Sequence, residues 1–147
     1  MMTKFVYRMQ NILDIKIKLE NQEKIAFGLA NAKLAEEQEK LQKILVQRAG
    51  YERQARELMK GTLHVQDIRE CRRAIDTMKS LQRTQMMNVH AAEKNVELAR
   101  KRLNDVMIER KTHEKLREKA FEQFKKEIAQ TEGKEIDELV SYNYHSE

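Results

Sequence analysis

The chain has 147 residues, no Pro, no Trp and four Gly, with 36% charged and 5% aromatic residues. That is the composition of long helices or coiled coil, in a length that suits one domain. The formal net charge of +5 permits binding to nucleic acid or an acidic surface but does not demonstrate it. A single cysteine, Cys71, excludes an intramolecular disulfide and a cysteine-based metal site.

Phe5, Met9, Ile12, Ile15, Leu19, Ala26, Leu29 and Ala30 recur at helical spacing. From Phe27 the pattern becomes a heptad. Phe27, Leu34, Leu41, Arg48 and Ala55 form one row, and Ala30, Glu37, Ile44, Tyr51 and Leu58 the other. The register slips by about one residue before Phe27, which the drift of a 3.6-residue helix against a 3.5-residue repeat tolerates. The spacing predicts a first helix over about 4–59. Gly28 and Gly50 lie off the seam and each cost about 1 kcal/mol against Ala. Pairs such as Glu36/Lys40, Glu39/Lys43 and Glu52/Arg56 have the favourable i,i+4 order and read as a solvated helical face.

Lys60-Gly61-Thr62-Leu63-His64 is the one break between the heptad blocks. Gly61 can take the left-handed conformation that ends a helix, and Thr62 is placed to cap the next one. So short a connection makes the flanking helices antiparallel neighbours. Residues facing each other then have numbers that sum to about 125. Leu34 is expected near Ala91 or Ala92, Leu41 near 83–87, and Phe5 near Phe121 and Phe124.

The second heptad block is the stronger one. Ile75, Gln82, Val89, Val96, Leu103, Arg110, Arg117 and Phe124 repeat every seven residues. Met78, Gln85, Ala92, Ala99, Val106, His113, Ala120 and Glu127 form the second row, and Ile68 and Cys71 extend the pattern backwards. Such a seam needs a partner helix, which the hairpin supplies from the first block. A helix over about 65–128 is expected, and at ~1.5 Å per residue its heptad stretch spans about 80 Å. After Ile128 the heptads stop, and an acidic tail over 129–147, short-helical around 134–140 or mobile, is expected. The expected whole is an all-α antiparallel coiled-coil hairpin of two long helices, one domain over 1–147. The polar seam positions Gln82, Gln85, Arg110, His113 and Arg117 either fix register or mark where the seam opens to a third surface.

No catalytic, cofactor-binding or metal-ligating set is expected. His113-Glu114 starts like a zinc-protease helix, but Arg117 stands where the second His is required. His90 and Glu93 share a helix face, yet two helices cannot supply the further carboxylates of a bundle metal site. No phosphate-binding Gly loop or Ser nucleophile motif occurs. Arg100-Lys101-Arg102 is the strongest basic run and lacks the dimeric basic-region arrangement of a DNA reader, so no nucleic-acid partner is expected. The apolar runs are too short to span a bilayer and no secretory leader pattern opens the chain. The expected location is the cytosol, with membrane association only through partners.

Two end motifs carry a resemblance. The chain opens Phe5-Val6-Tyr7-Arg8-Met9-Gln10-Asn11-Ile12-Leu13-Asp14. Its C-terminal part reads Glu118-Lys119-Ala120-Phe121-Glu122-Gln123-Phe124-Lys125-Lys126-Glu127, then Lys134-Glu135-Ile136-Asp137-Glu138. Together with the length and the position of the turn, these resemble the flagellar export protein FliJ family over nearly the whole chain. Gly133 departs from the family's continuous acidic segment. The resemblance implies a non-enzymatic coiled coil of the type III export apparatus, similar to a rotary ATPase central stalk. It further implies that the paired termini enter the hexameric export ATPase and promote its assembly and activity. The membrane export gate and the export chaperones are its other implied partners. An escort or adaptor for chaperones, the stalk of a needle-type system and a basic nucleic-acid-binding coiled coil are the alternatives. No cofactor is implied.

Arg8, Lys16, Arg110, Lys111, Lys115, Arg117 and Lys119 give a basic surface where the resemblance places the ATPase, and are the candidate contacts. Ile68, Cys71, Ile75, Met78 and Gln82 form a stripe after the turn. The opposing segment carries Arg48, Glu52, Arg53 and Arg56 and is not expected to cover that stripe fully. In the family this region is implicated in contacting the gate, which makes the stripe the candidate gate contact.

Overall fold

The computed structural model describes residues 4–146, with side chains through Val140. The tail's last residue and the side chains from 141 lie outside the described part. Two helices make up nearly all of it, α1 (Gln10–Leu58) and α2 (Val65–Ser146). They pack against each other as an antiparallel helical hairpin, the expected all-α fold class. Among the described residues no helix is long and apolar enough to cross a membrane.

Local chemistry sets the helix ends. α1 starts after Met9, whose carbonyl accepts from the N–H groups of Ile12 and Leu13, while the Gln10 N–H bonds to the Tyr7 carbonyl. The helix therefore starts nearly two turns later than the expected residue 4. Phe5-Val6-Tyr7 combines aromatic and β-branched side chains of modest helix propensity, and these non-helical residues are free to turn Phe5 onto α2. At the other end α1 tightens: the N–H groups of Met59 and Lys60 bond three residues back, to Arg56 and Glu57. Gly61 then reverses the chain at φ +74°, the left-handed region that a side chain would strain. His64, not Thr62, precedes α2, and its carbonyl accepts the Ile68 N–H. Asp67 in the first turn suits the positive end of the helix dipole.

α2 does not stop near Ile128. It runs to Ser146 through Gly133, whose backbone stays out of the left-handed region. One mid-helix Gly costs about 1 kcal/mol, and the strong helix formers around it (Gln130, Glu132, Lys134, Glu135, Leu139) carry the helix across.

The chain forms two compact units, residues 23–103, and residues up to 22 together with those from 104. In the 23–103 unit the core is the heptad seam. Cys71, Val89, Ala92, Val96 and Ala99 are buried, and Phe27, Leu34, Leu41, Ile44 and Leu58 are half-buried against them. The buried seam positions of α2 thus carry mostly small Ala and Val, and the half-buried ones of α1 larger Leu, Ile and Phe. Tyr51 meets Cys71, Glu37 meets Gln85, and Phe27 lies beneath the Arg100 guanidinium. In the other unit Leu13 is buried, Glu20 meets Arg110, Gln10 meets Arg117, and Phe5 meets Phe121 and Phe124. In both units partner numbers fall on α2 as they rise on α1, within a few residues of the expected register.

Candidate functional site

The terminal unit is closed by an aromatic clamp. The Phe5 ring lies edge-on to Phe121 at 5.1 Å and tilted against Phe124 at 5.4 Å. The Arg117 guanidinium sits 5.6 Å over the same ring and donates to Gln10 Oε1 at 2.9 Å. A cavity of about 470 Å³ opens beside the clamp, lined by Phe5, Val6, Tyr7, Arg8 and Met9 with Ala120, Gln123, Phe124 and Glu127. The Tyr7 hydroxyl is buried and makes no hydrogen bond among the described residues. Around this unit Val6, Ile15, Ile108 and Leu116 expose apolar surface. Ile108 and Leu116 escaped the sequence reading because they sit off the seam rows, where an apolar residue carries no periodic signal.

The seven basic candidates divide into two groups. Lys16 is bound to Glu109 at 2.7 Å, and Arg117 is held at the clamp. Arg110 spans the seam, donating from Nε and Nη2 to both Glu20 oxygens and from Nη1 to Glu114 at 2.9 Å. These acceptors, Glu20 first and then Glu114, raise the Arg110 pKa above its ordinary value and oppose the effect of burial. These three cations are spent on holding the helices together. Arg8, Lys111, Lys115 and Lys119 are exposed and have no ion-pair partner among the described residues. Of the seven, only these four make no hydrogen bond, ion pair or ring contact among the described residues.

The stripe after the turn is largely seam. Cys71 is buried and its thiol donates to the Tyr51 carbonyl at 3.2 Å. Ile68, Ile75, Met78 and Gln82 are half-buried. Gln82 Oε1 accepts from Arg48 Nη1 at 2.7 Å, so this polar seam residue is satisfied across the hairpin. A cavity of about 440 Å³ lies over Cys71, between Tyr51, Gln54 and Leu58 on α1 and Asp67, Glu70 and Ala74 on α2. Exposed apolar surface nearby belongs instead to Met59, Leu63 and Val65 around the turn.

One charged group is buried in the middle of the 23–103 unit. Glu37 is 6% exposed and Gln85 is 7% exposed. Gln85 Nε2 donates both to the Glu37 backbone carbonyl at 2.9 Å and to its carboxylate. Lys33 lies 3.0 Å and Lys40 3.7 Å from that carboxylate. Hydrogen bonds from Lys33 and then Gln85, with the two lysine charges, hold the Glu37 carboxyl below the usual carboxylate range despite its burial. Among the described residues no group of three or more His, Cys, Asp or Glu could hold a metal ion. The His90–Glu93 pair, 3.8 Å apart, is a surface contact. The arrangement offers helix faces, charge and grooves, which are the means of binding a partner.

No curated protein and no solved structure matches the chain. The sequence profile of the family described as "Flagellar FliJ protein" matches residues 4–147. A match over that length takes in the aromatic opening segment, the turn and both heptad blocks. The chain therefore belongs to the flagellar FliJ family, whose members are components of the flagellar export apparatus.

Proposed function

We propose that this chain is the non-catalytic stalk and assembly component of the export ATPase, and that it links the ATPase ring to the export gate. The observation that carries this reading is the terminal unit. There the opening segment is clamped onto α2 through Phe5, while Arg8, Lys111, Lys115 and Lys119 point four unspent cations at solvent. A paired, clamped terminus is pre-organised for insertion into a ring. Cations that cost no internal ion pair are available to an acidic lumen. The ATPase contact is therefore narrowed to those four residues, with Lys16, Arg110 and Arg117 shaping the surface beneath them. The gate contact is assigned to the region of Ile68, Cys71, Ile75, Met78 and Gln82. It is reached through the cavity over Cys71 and the exposed turn residues beside it. The protein works in the cytoplasm, peripheral to the inner membrane through its partners, and helps to recycle export chaperones.

The test is ATP hydrolysis by the cognate export ATPase, measured with and without this protein under ring-forming conditions. Stimulation by the wild type is expected. It should be largely lost when Arg8, Lys111, Lys115 and Lys119 are all changed to Glu, with helicity retained. No stimulation by the wild type overturns the stalk and leaves a chaperone escort as the reading. Full stimulation by the quadruple variant overturns the site.

A further inference from the structure

We propose that the outward face of α2 between Arg83 and Lys101 is a docking site for an acidic amphipathic helix of a partner protein. The inward row of this stretch, Gln85, Val89, Ala92, Val96 and Ala99, is buried in the hairpin. Met87, Ala91, Lys94 and Leu98 follow one another at four, three and four residues, so they line a single stripe on the other side. The solvated face of a two-helix coiled coil ordinarily carries charged and polar side chains. Here Met87 is 72% exposed, and Met86 and Leu98 are about half exposed beside it.

The shape suits a helix. Ala91 is the small residue of the stripe, and the longer side chains of Met86, Met87, His90 and Lys94 stand around it. They enclose a shallow notch of about 380 Å³. One large apolar side chain of a partner fits such a notch. The two methionines, unbranched and polarizable, adjust to its outline.

The charge selects the partner. Arg83, Lys94 and Lys101 are exposed along the same face and have no ion pair among the described residues. The nearby carboxylates are engaged on their own helix, Glu97 with Arg100 at 3.5 Å and Glu93 with His90 at 3.8 Å. An apolar strip that carries Lys94 and is bordered by Arg83 and Lys101 is complementary to a helix with apolar residues at i, i+4, i+7 and i+11 and carboxylates on its flanks. The same charges oppose pairing of this face with itself in a second copy. This inference does not depend on the ATPase reading, because none of its residues belongs to the terminal unit.

The test uses the full chain and a fluorescein-labelled synthetic peptide with Leu at i, i+4, i+7 and i+11 and Glu on both flanks. A peptide of the same pattern with Lys for Glu, and a scrambled acidic peptide, are the controls. Fluorescence anisotropy should show saturable binding of the acidic helix, about tenfold or more tighter than either control and weaker in high salt. Met87→Ser with Leu98→Ser should weaken it about tenfold, and so should Lys94→Glu with Lys101→Glu. Ala91→Gln fills the notch without removing apolar surface or helix propensity and should weaken binding as well. All these positions are exposed, so unchanged melting by circular dichroism is expected. Equal binding of the Lys-flanked or scrambled peptide overturns the proposal, as does wild-type affinity in the variants. Concentration-dependent self-association of the wild type that Met87→Ser abolishes also overturns it, because a second copy would then be the occupant.

Discussion

Replacing Phe5 by Ala tests whether the opening segment is held by its aromatic clamp. The half-buried ring contributes about 1 kcal/mol through the apolar area it removes from water. Its contacts with Phe121 and Phe124 add about 0.5–1 kcal/mol each, and the Arg117 guanidinium over its face about 0.5 kcal/mol. The total is about 3 kcal/mol, and at a factor of ten per 1.4 kcal/mol this corresponds to about a hundredfold change in the clamped-to-open ratio. The effect is local, because residues 4–9 are not helical and Leu13, buried at 3% exposure, anchors α1 just behind them. Amide hydrogen exchange at Gln10 reports it directly, since that N–H bonds to the Tyr7 carbonyl at 3.1 Å. Exchange there should accelerate by up to about a hundredfold in Phe5→Ala, while amides near Val89 and Val96 keep their protection. Phe5→Leu keeps the apolar burial and loses the ring terms, about 2 kcal/mol, so an acceleration of up to about thirtyfold is expected. Unchanged exchange at Gln10 in Phe5→Ala refutes the clamp. Equal acceleration at Val96 refutes its being local.

The Tyr7 hydroxyl is buried without a hydrogen bond among the described residues. Tyr7→Phe should therefore leave stability unchanged or raise it by about 1 kcal/mol in denaturant titration, and a loss of that size would mean the hydroxyl has a partner. Glu37 has a lowered pKa, so its contribution to stability is complete above its ordinary value of 4.5 and is lost as pH falls through the folded value. Lys33 has a raised pKa, so its contribution is complete below its ordinary value of 10.5 and is lost above it. The melting temperature should accordingly hold a plateau at neutral pH and fall below about pH 4.5, with a shallower acid slope in Glu37→Gln. Ile75→Ala with Met78→Ala should lower stability by about 3 kcal/mol, as half-buried seam truncations do. At a temperature where the double variant stays folded it should bind the gate's cytosolic domain more weakly and stimulate the ATPase normally. Intact gate binding would reduce the stripe to packing.

The fold was legible because one physical signal ran through most of the chain. A 3.5-residue apolar repeat interrupted once, at Gly61, admits little besides two helices folded on each other. The three Phe residues then fixed which ends meet. What periodicity cannot show is how a polar residue on the seam is satisfied. Gln82, Gln85 and Arg110 read equally well as openings or as register keys until their partners Arg48, Glu37 and Glu20 are seen across the hairpin. The division of the basic candidates was hidden for the same reason. Lys16 and Lys115 look alike in sequence, and only the placement of Glu109 removes Lys16 from the free surface. The helix beyond Ile128 is not legible from the heptads, because the end of a heptad row is not the end of a helix. Loss of a seam removes the need for a partner, whereas helix propensity continues through Glu132, Lys134, Glu135 and Leu139.

The seam pairs also explain why this hairpin has one register. A heptad seam tolerates shifts of seven residues, because apolar rows fit one another after each step. With such a shift Glu37 would face Met78 or Ala92, and neither can donate to a buried carboxylate. The cost of a charge buried without its donor falls entirely on the shifted states, so the pair contributes to specificity more than to net stability. Changing Glu37 and Gln85 together to Leu should therefore leave the melting temperature equal or higher. The register should loosen all the same, and a spin-label distance distribution between positions 34 and 91 should broaden or gain a second component. A single sharp distance in the double variant would mean that the apolar rows and the turn at Gly61 set the register unaided, and that the buried pair was never its key.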